Sequence, residues 1–135
     1  MSDRQLPDGL RRLNKLADLL ETQPPKEFTL STWSCGFACC AVGFAASHPY
    51  FTAEGLGLAL APQVSPTKSY HPTYDFSESW GAVERFFELN DDEARSLFDP
   101  SCYCMNSWSD PRPVVMRIRA MVEQKTALLL PAANV

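Results

Sequence analysis

The sequence has no excess of positive charge. It carries 12 Lys and Arg against 16 Asp and Glu, which gives a net charge of −4. Nonspecific binding to nucleic acids depends on concentrated positive charge, so a nucleic acid is not the expected partner. Two local basic groups are expected to be solvated helix faces: Arg11–Arg12, and the set Arg112, Arg117 and Arg119.

A long apolar run is also missing. The longest stretch without a charge, residues 28–53, is strongly apolar only over residues 36–46. A membrane-spanning helix needs about 20 predominantly apolar residues, so a buried core helix is the better interpretation. The first residues, "MSDRQLPDGL", are charged and polar and are not typical of an export signal. We therefore expect a cytoplasmic protein with no membrane association, whose five cysteines are thiols or metal ligands rather than disulfides.

Familiar cofactor and metal motifs are absent as well. The sequence contains no phosphate loop, dinucleotide-binding fingerprint, His-Glu metalloprotease helix or calcium loop. No cofactor is therefore expected from these motifs.

The composition that remains is that of an ordinary globular domain. Of 135 residues, 45% are apolar and 21% are charged, and this length suits one domain. We expect a single domain over residues 1–126, followed by an apolar tail over residues 127–135.

Apolar spacing predicts helices at both ends of the chain. Leucines recur at helical intervals from Leu10 to Leu20, with Asp8 as a candidate cap. In the second half, Asn90 precedes an acidic helical turn and Asp110 precedes a Pro-started helix. These patterns predict a mainly helical chain.

The centre of the chain adds the remaining elements. Residues 35–47 are apolar on every side, which predicts a buried central helix. Residues 56–60 and the chain near Tyr70 predict a small β-hairpin. The expected fold is α+β and mainly α, with four or five short helices around the central helix and the hairpin at one edge.

The stretch "WSCGFACCAVGFAA" holds three of the five cysteines and allows three interpretations. It can be simply core, because buried thiols are common there. It can also place Cys35 at a helix N-terminus, where a thiolate nucleophile is favoured, as in papain-like thiol hydrolases. The base would then be His71 or His48, with Asp75 as the orienting group.

The third interpretation is a structural zinc site. Cys35 and Cys39 would share a helix face, and Cys102 and Cys104 could supply two more thiolates. Zinc sites usually have two or so residues between paired cysteines, and neither pair here matches. No metal is therefore expected, and these four cysteines are weak candidates only.

One further alternative is a DNA-binding regulator. The last helix carries Arg117 and Arg119, and such a helix could contact phosphates. A salt-dependent shift with duplex DNA would be its signature.

The order of motifs resembles a family of small, largely uncharacterised proteins of bacteriophages, prophages and bacteria. That family has a leucine-rich helix ending in Pro-Pro, a "CGTxACxxGWA" motif, a "GL" strand, "FFGL", an acidic helix with "LF", and a last helix with "RIR". Here these motifs read "LADLLETQPPKEF", "STWSCGFACCAVGFAA", "GLGLAL", "FFELNDDEARSLF" and "VVMRIRAMV". The resemblance runs from about Leu10 to Val122.

Within the motif, the two cysteines of the family fall on Cys35 and Cys40. Cys39 stands where the family has Ala, Phe37 replaces its Thr, and Phe44 replaces its Trp. The resemblance implies no established activity. It implies a phage-associated accessory protein, and together with the incomplete catalytic constellations it favours a small non-catalytic protein that binds a host protein.

Overall fold

The computed structural model describes residues 6–22, 40–60, 70–103 and 110–129. The first helix, α1, spans Asp8–Leu20, and three of its leucines at helical spacing, Leu13, Leu16 and Leu20, are fully buried. The expectation that Asp8 caps this helix is wrong: Pro7 occupies the cap position without a side-chain hydrogen bond, and Asp8 lies in the first turn. The Pro7 carbonyl accepts the Arg11 N–H at 3.0 Å, so the helix already begins at that carbonyl.

The central helix is shorter than expected. Helix α2 spans Ala41–Ser47, and α3 follows as a single turn at Pro49–Thr52. A continuous helix from Cys35 is wrong because Cys40 is extended, with ψ −178°, and caps α2. The expected burial is confirmed: five of the seven α2 residues are buried.

The small sheet contains the expected hairpin and one further strand. Strands β1 (Gly57–Leu60), β2 (Tyr70–Tyr74) and β3 (Ser77–Glu78) are antiparallel in the order β1-β2-β3. Tyr74 pairs with Ser77, which leaves a two-residue turn between β2 and β3.

Three helices complete the described part of the chain. They are α4 (Trp80–Phe87), α5 (Asp91–Phe98) and α6 (Arg112–Leu129), with a short 3-10 turn at Pro100–Cys102. Asn90 caps α5 as expected, in a reciprocal pair with Glu93. Asp110 accepts the Arg112 N–H at 3.0 Å and so satisfies the first N–H of α6, while the Pro111 carbonyl accepts the Val115 N–H at 3.0 Å. Helix α6 includes residues 127–129 of the expected tail, and residues 130–135 lie outside the described residues.

The core joins the helices around a cluster of aromatic rings. Phe86 of α4 makes edge contacts with Phe51, Phe87 and Tyr74, at centroid distances of 5.0 to 6.0 Å. The two longest helices, α1 and α6, pack against each other. The expected fold class is confirmed, since the described residues form six α-helices and one three-stranded antiparallel sheet. None of the described helices combines the length and apolarity that crossing a bilayer requires.

Candidate functional site

The described part of the cysteine-rich stretch is core. Cys40 is 2% exposed, and its Sγ accepts the Gly43 N–H at 3.5 Å at the start of α2. This thiol therefore contributes to helix capping and packing. Cys35 and Cys39, the candidate nucleophile and zinc ligand, lie outside the described residues.

His48 has a structural position. It caps α3, and its Nδ1 accepts the Tyr50 N–H at 3.1 Å. Its ring lies between Phe44 and Phe51, with centroids 5.9 and 6.1 Å away. The Nδ1 lone pair is thus already used by the backbone.

His71 lies on β2 and faces a different acid from the one expected. Its side chain is 12% exposed, and Nε2 is 2.8 Å from Glu78 Oε2, an ion pair when the imidazole is protonated. Within the described residues, no hydrogen bond to Nε2 meets the usual geometry, so the short distance is a contact without a well-aligned hydrogen bond. Asp75, the expected orienting group, instead pairs with Arg85 at 3.3 Å. His71 therefore contacts Glu78, and Asp75 pairs with Arg85 instead of orienting His71.

The described residues do not assemble a metal site. Cys102 is exposed in the 3-10 turn, and Cys104 lies outside the described residues. Within the described ranges, no three His, Cys, Asp or Glu side chains come together in a group that could hold a metal ion.

The two arginines of the DNA-binding alternative have partners within the protein. Arg117 lies 3.9 Å from the Tyr103 ring centroid and donates to the Ser96 carbonyl at 3.1 Å. Arg119 bridges α6 to α1 through Asp18 at 2.9 Å and Glu21 at 2.6 Å. These contacts fix α6 against its neighbours and reduce the charge available to phosphates.

The expectation of a solvated Arg11–Arg12 face is wrong for Arg12. Arg12 is only 7% exposed, and its guanidinium lies 4.3 Å from the Phe86 ring centroid. It donates to the Phe86 carbonyl at 2.8 Å and to Glu54 at 2.9 Å. Burial is tolerated because the charge is paired and hydrogen-bonded.

Glu54 accepts hydrogen bonds from both Arg11 and Arg12. Arg11 donates to both of its carboxylate oxygens, at 2.6 and 2.9 Å, and to the Tyr50 hydroxyl at 2.7 Å. Hydrogen bonds from Arg11, and then from Arg12, lower the pKa of Glu54 to about 2 against the opposing effect of burial. The same pair raises the pKa of Arg11. The cluster is saturated by internal contacts, so it stabilises the fold and is a poor candidate for catalysis.

The most unusual described residue is Phe76, at the tip of the β2–β3 hairpin. Its relative exposure is 107%, as full as in an extended peptide. Asp75 and Phe76 have φ of +50° and +65°, and positive φ at both central residues is typical of a type I′ turn. Such turns favour Asn-Gly or Asp-Gly, so Phe76 occupies a position that normally suits glycine.

The base of this hairpin is held by several contacts. The Tyr74 ring packs edge-on against Phe86 at 5.0 Å. Arg85 of α4 reaches Asp75 at 3.3 Å and donates to the Ser77 hydroxyl at 3.2 Å. Beside the tip is an open hollow of about 320 Å³ that reaches back to Gly55. The Phe76 ring is therefore exposed, while the residues next to it in the hairpin are held by contacts with α4.

Sequence reasoning missed Phe76 because nothing in "TYDFSE" signals a turn by glycine, proline or asparagine. A signal was present only in Asp75, which tolerates positive φ.

Comparison of the chain with protein-family models, with curated proteins and with solved structures gives no match.

Proposed function

We propose that this chain is a small non-catalytic binding protein, and that it engages another protein through the tip of its β2–β3 hairpin. In this proposal it is a phage or prophage accessory that acts in the cytoplasm on a host protein. The motif order from Leu10 to Val122 supports the phage relation. The single observation that carries the binding role is Phe76, fully exposed at φ +65°.

Phe76 does not contribute to the stability of the fold. A non-glycine residue in the left-handed region costs roughly 1–2 kcal/mol, and a fully exposed ring gains no burial energy in return. A residue that lowers stability and is buried nowhere in the described protein fits a role outside it. Aromatic side chains are enriched in the buried centres of protein interfaces.

The hairpin base makes Phe76 an efficient anchor. Binding loses less conformational entropy when the contacting residue is already held in place. The Arg85–Asp75 pair and the hydrogen bond from Arg85 to the Ser77 hydroxyl restrain the residues on either side of Phe76. A partner with an apolar pocket would therefore bind a Phe76 ring whose backbone is already held in its bound conformation.

The other functions receive no comparable support. The thiol hydrolase would use Cys35 with His71 or His48, and the Asp75 of that scheme pairs with Arg85. The DNA-binding scheme would use Arg117 and Arg119, whose guanidinium groups contact Tyr103, Ser96, Asp18 and Glu21.

The test compares wild type with Phe76→Gly and with Met116→Ser as the control. Met116 is also exposed, at 72%, but it lies on α6. Each protein is used to capture partners from a bacterial host lysate, and the captured protein is then purified and titrated calorimetrically. We expect a stoichiometric partner for wild type and Met116→Ser, and at least about tenfold weaker binding for Phe76→Gly.

Stability is measured on the same three proteins. Phe76→Gly creates the Asp-Gly pair that type I′ turns prefer, so its melting temperature should be equal to or above that of wild type. Loss of binding without loss of stability would separate function from folding. Unchanged binding by Phe76→Gly, or no stoichiometric partner for wild type, would overturn the proposal.

A further inference from the structure

A second surface lies at the other end of α4. The β2–β3 hairpin precedes the N-terminus of α4, and about 12 Å of helix separates it from the C-terminus. There, an apolar groove of about 270 Å³ lies between the start of α1 and the last turns of α6. Leu10 and Phe87 are its buried residues, and Leu128 and Leu129 contribute exposed apolar side chains.

The exposed leucines distinguish this groove from ordinary packing. Leu128 is 80% exposed and Leu129 is 49% exposed, although both line an apolar groove. A groove of this volume accommodates one or two aliphatic side chains. Apolar surface of this kind is typical of a docking site for an apolar anchor residue.

The charge around the groove is predominantly acidic. Glu88 lines it directly, where α4 ends and the helix dipole also favours a positive group. Three residues later, the first turn of α5 carries Asp91, Asp92 and Glu93. The cation that lines the groove, Lys125, is already paired with Glu93 at 2.9 Å.

Helix α5 carries one cation, which is paired as well. Arg95 of α5 pairs with Asp91 at 3.1 Å and with Asp99 at 3.4 Å. Glu88 is therefore a lining carboxylate that an incoming cation can face. A rim of this charge would repel acidic segments and anionic lipid surfaces.

We infer that the groove binds a cationic amphipathic segment of a partner protein. An aliphatic side chain of that segment enters between Leu10, Phe87 and Leu128, and the Lys or Arg beside it faces Glu88. The helix-in-groove mode of recognition uses this combination of an apolar anchor and flanking charge. This inference does not rest on the hairpin, because Phe76 lies at the opposite end of α4.

The probe is a labelled synthetic amphipathic helix made of Leu and Lys, with a Leu and Glu helix of the same pattern as the comparison. Fluorescence anisotropy measures the affinity of each for wild type. We expect the Lys helix to bind at least about tenfold more tightly than the Glu helix. The double variant Leu128→Ser/Leu129→Ser should weaken it about tenfold, and Glu88→Gln should weaken it less and reduce its salt dependence.

Matched variants separate this site from other surfaces. Met116→Ser removes another exposed apolar side chain of α6, and Phe76→Gly removes the hairpin ring, so both should keep wild-type affinity for the Lys helix. Because Leu128 and Leu129 are exposed, the double variant should melt like wild type. Equal binding of the Glu helix, or undiminished affinity of the double variant, would overturn the inference. Sedimentation showing that wild type is a dimer which the double variant dissociates would overturn it as well, because a second copy would then occupy the groove.

Discussion

At the residue scale, Glu54 links α1 to the end of α3 by charge. It lies after α3 and accepts hydrogen bonds from two consecutive arginines of α1, one of them 7% exposed. Removing a single partner from such a cluster leaves a buried charge without compensation. Glu54 thereby couples the fold's stability to pH.

We predict that Glu54→Gln lowers the free energy of unfolding by about 2–4 kcal/mol at pH 7. Because the pKa of Glu54 falls from 4.5 to about 2 on folding, the ionised carboxylate stabilises the fold fully above pH 4.5. That contribution is lost as the pH falls towards 2. Urea unfolding at pH 7 and near pH 2 should show the gap between variant and wild type closing in acid.

The control for this prediction is Glu123→Gln, which changes an exposed carboxylate of α6. It should change stability by less than about 0.5 kcal/mol. A loss in Glu54→Gln that is equal at both pH values would contradict the role of the charge.

Single residues were the least predictable part of the structure. Arg11 and Arg12 are adjacent in the sequence and identical in type, yet only Arg12 is buried. Glu54 binds both arginines, so the difference arises from Phe86, which lies 74 residues from Arg12 along the chain and packs its ring and carbonyl against the Arg12 guanidinium. Local charge patterning cannot register such distant partners. Phe76 escaped prediction for the related reason that its exposure depends on the turn geometry.

At the element scale, the packing of α1 on α4 depends on one glycine. A Cβ at Gly9 would lie 2.3 Å from the Phe87 carbonyl oxygen and 2.6 Å from Glu88 Cβ. Neither helix can accept that atom without moving. Gly9 thus permits the close approach that forms one end of the groove.

We predict that Gly9→Ala destabilises the protein by about 1–3 kcal/mol through overpacking. Gly81→Ala is the matched control, since its Cβ would meet only Ser77 Cβ, at 3.7 Å. There the higher helix propensity of alanine should stabilise the protein by up to about 1 kcal/mol. Thermal unfolding measures both, and opposite signs are expected. Stabilisation in Gly9→Ala would show that the two helices do not meet as described.

The start of α5 provides a second prediction at this scale. Asn90 accepts the Glu93 N–H at 2.8 Å, and Glu93 accepts the Asn90 N–H at 3.0 Å. Asn90→Ala should lower the free energy of unfolding by about 1 kcal/mol, whereas Asn90→Asp should largely preserve it. Chemical denaturation checks both variants, and equal losses would argue against capping.

Helices were predictable from the sequence where apolar spacing or a capping residue marked them and the same residues are buried or capped in the structure. The leucine spacing of α1 and the Asn90 cap of α5 are local signals, and both are confirmed. The start of α2 was missed because a thiol, not a hydroxyl or carboxamide, caps it at Cys40. Strand β3 was missed because it is only two residues long and pairs with β2 through a turn without glycine.

At the scale of the whole molecule, α4 connects the two surfaces proposed for binding. Its N-terminal end follows the hairpin that presents Phe76, and its C-terminal end closes the apolar groove. Between them, Phe86 joins α1, α3 and the sheet in one core. A buried aromatic core with an exposed apolar feature beyond each end of α4 is consistent with the proposed binding role.

The most direct test of that account places a photo-crosslinking benzophenone side chain at position 76, with position 116 as the control. Both positions are exposed, and the benzophenone keeps an aromatic ring at the hairpin tip. After irradiation in a host lysate, adducts are identified by mass spectrometry. The account predicts one dominant host-protein adduct from position 76 and none of that identity from position 116. The same adducts from both positions, or none from position 76 when wild type still captures the partner, would contradict it.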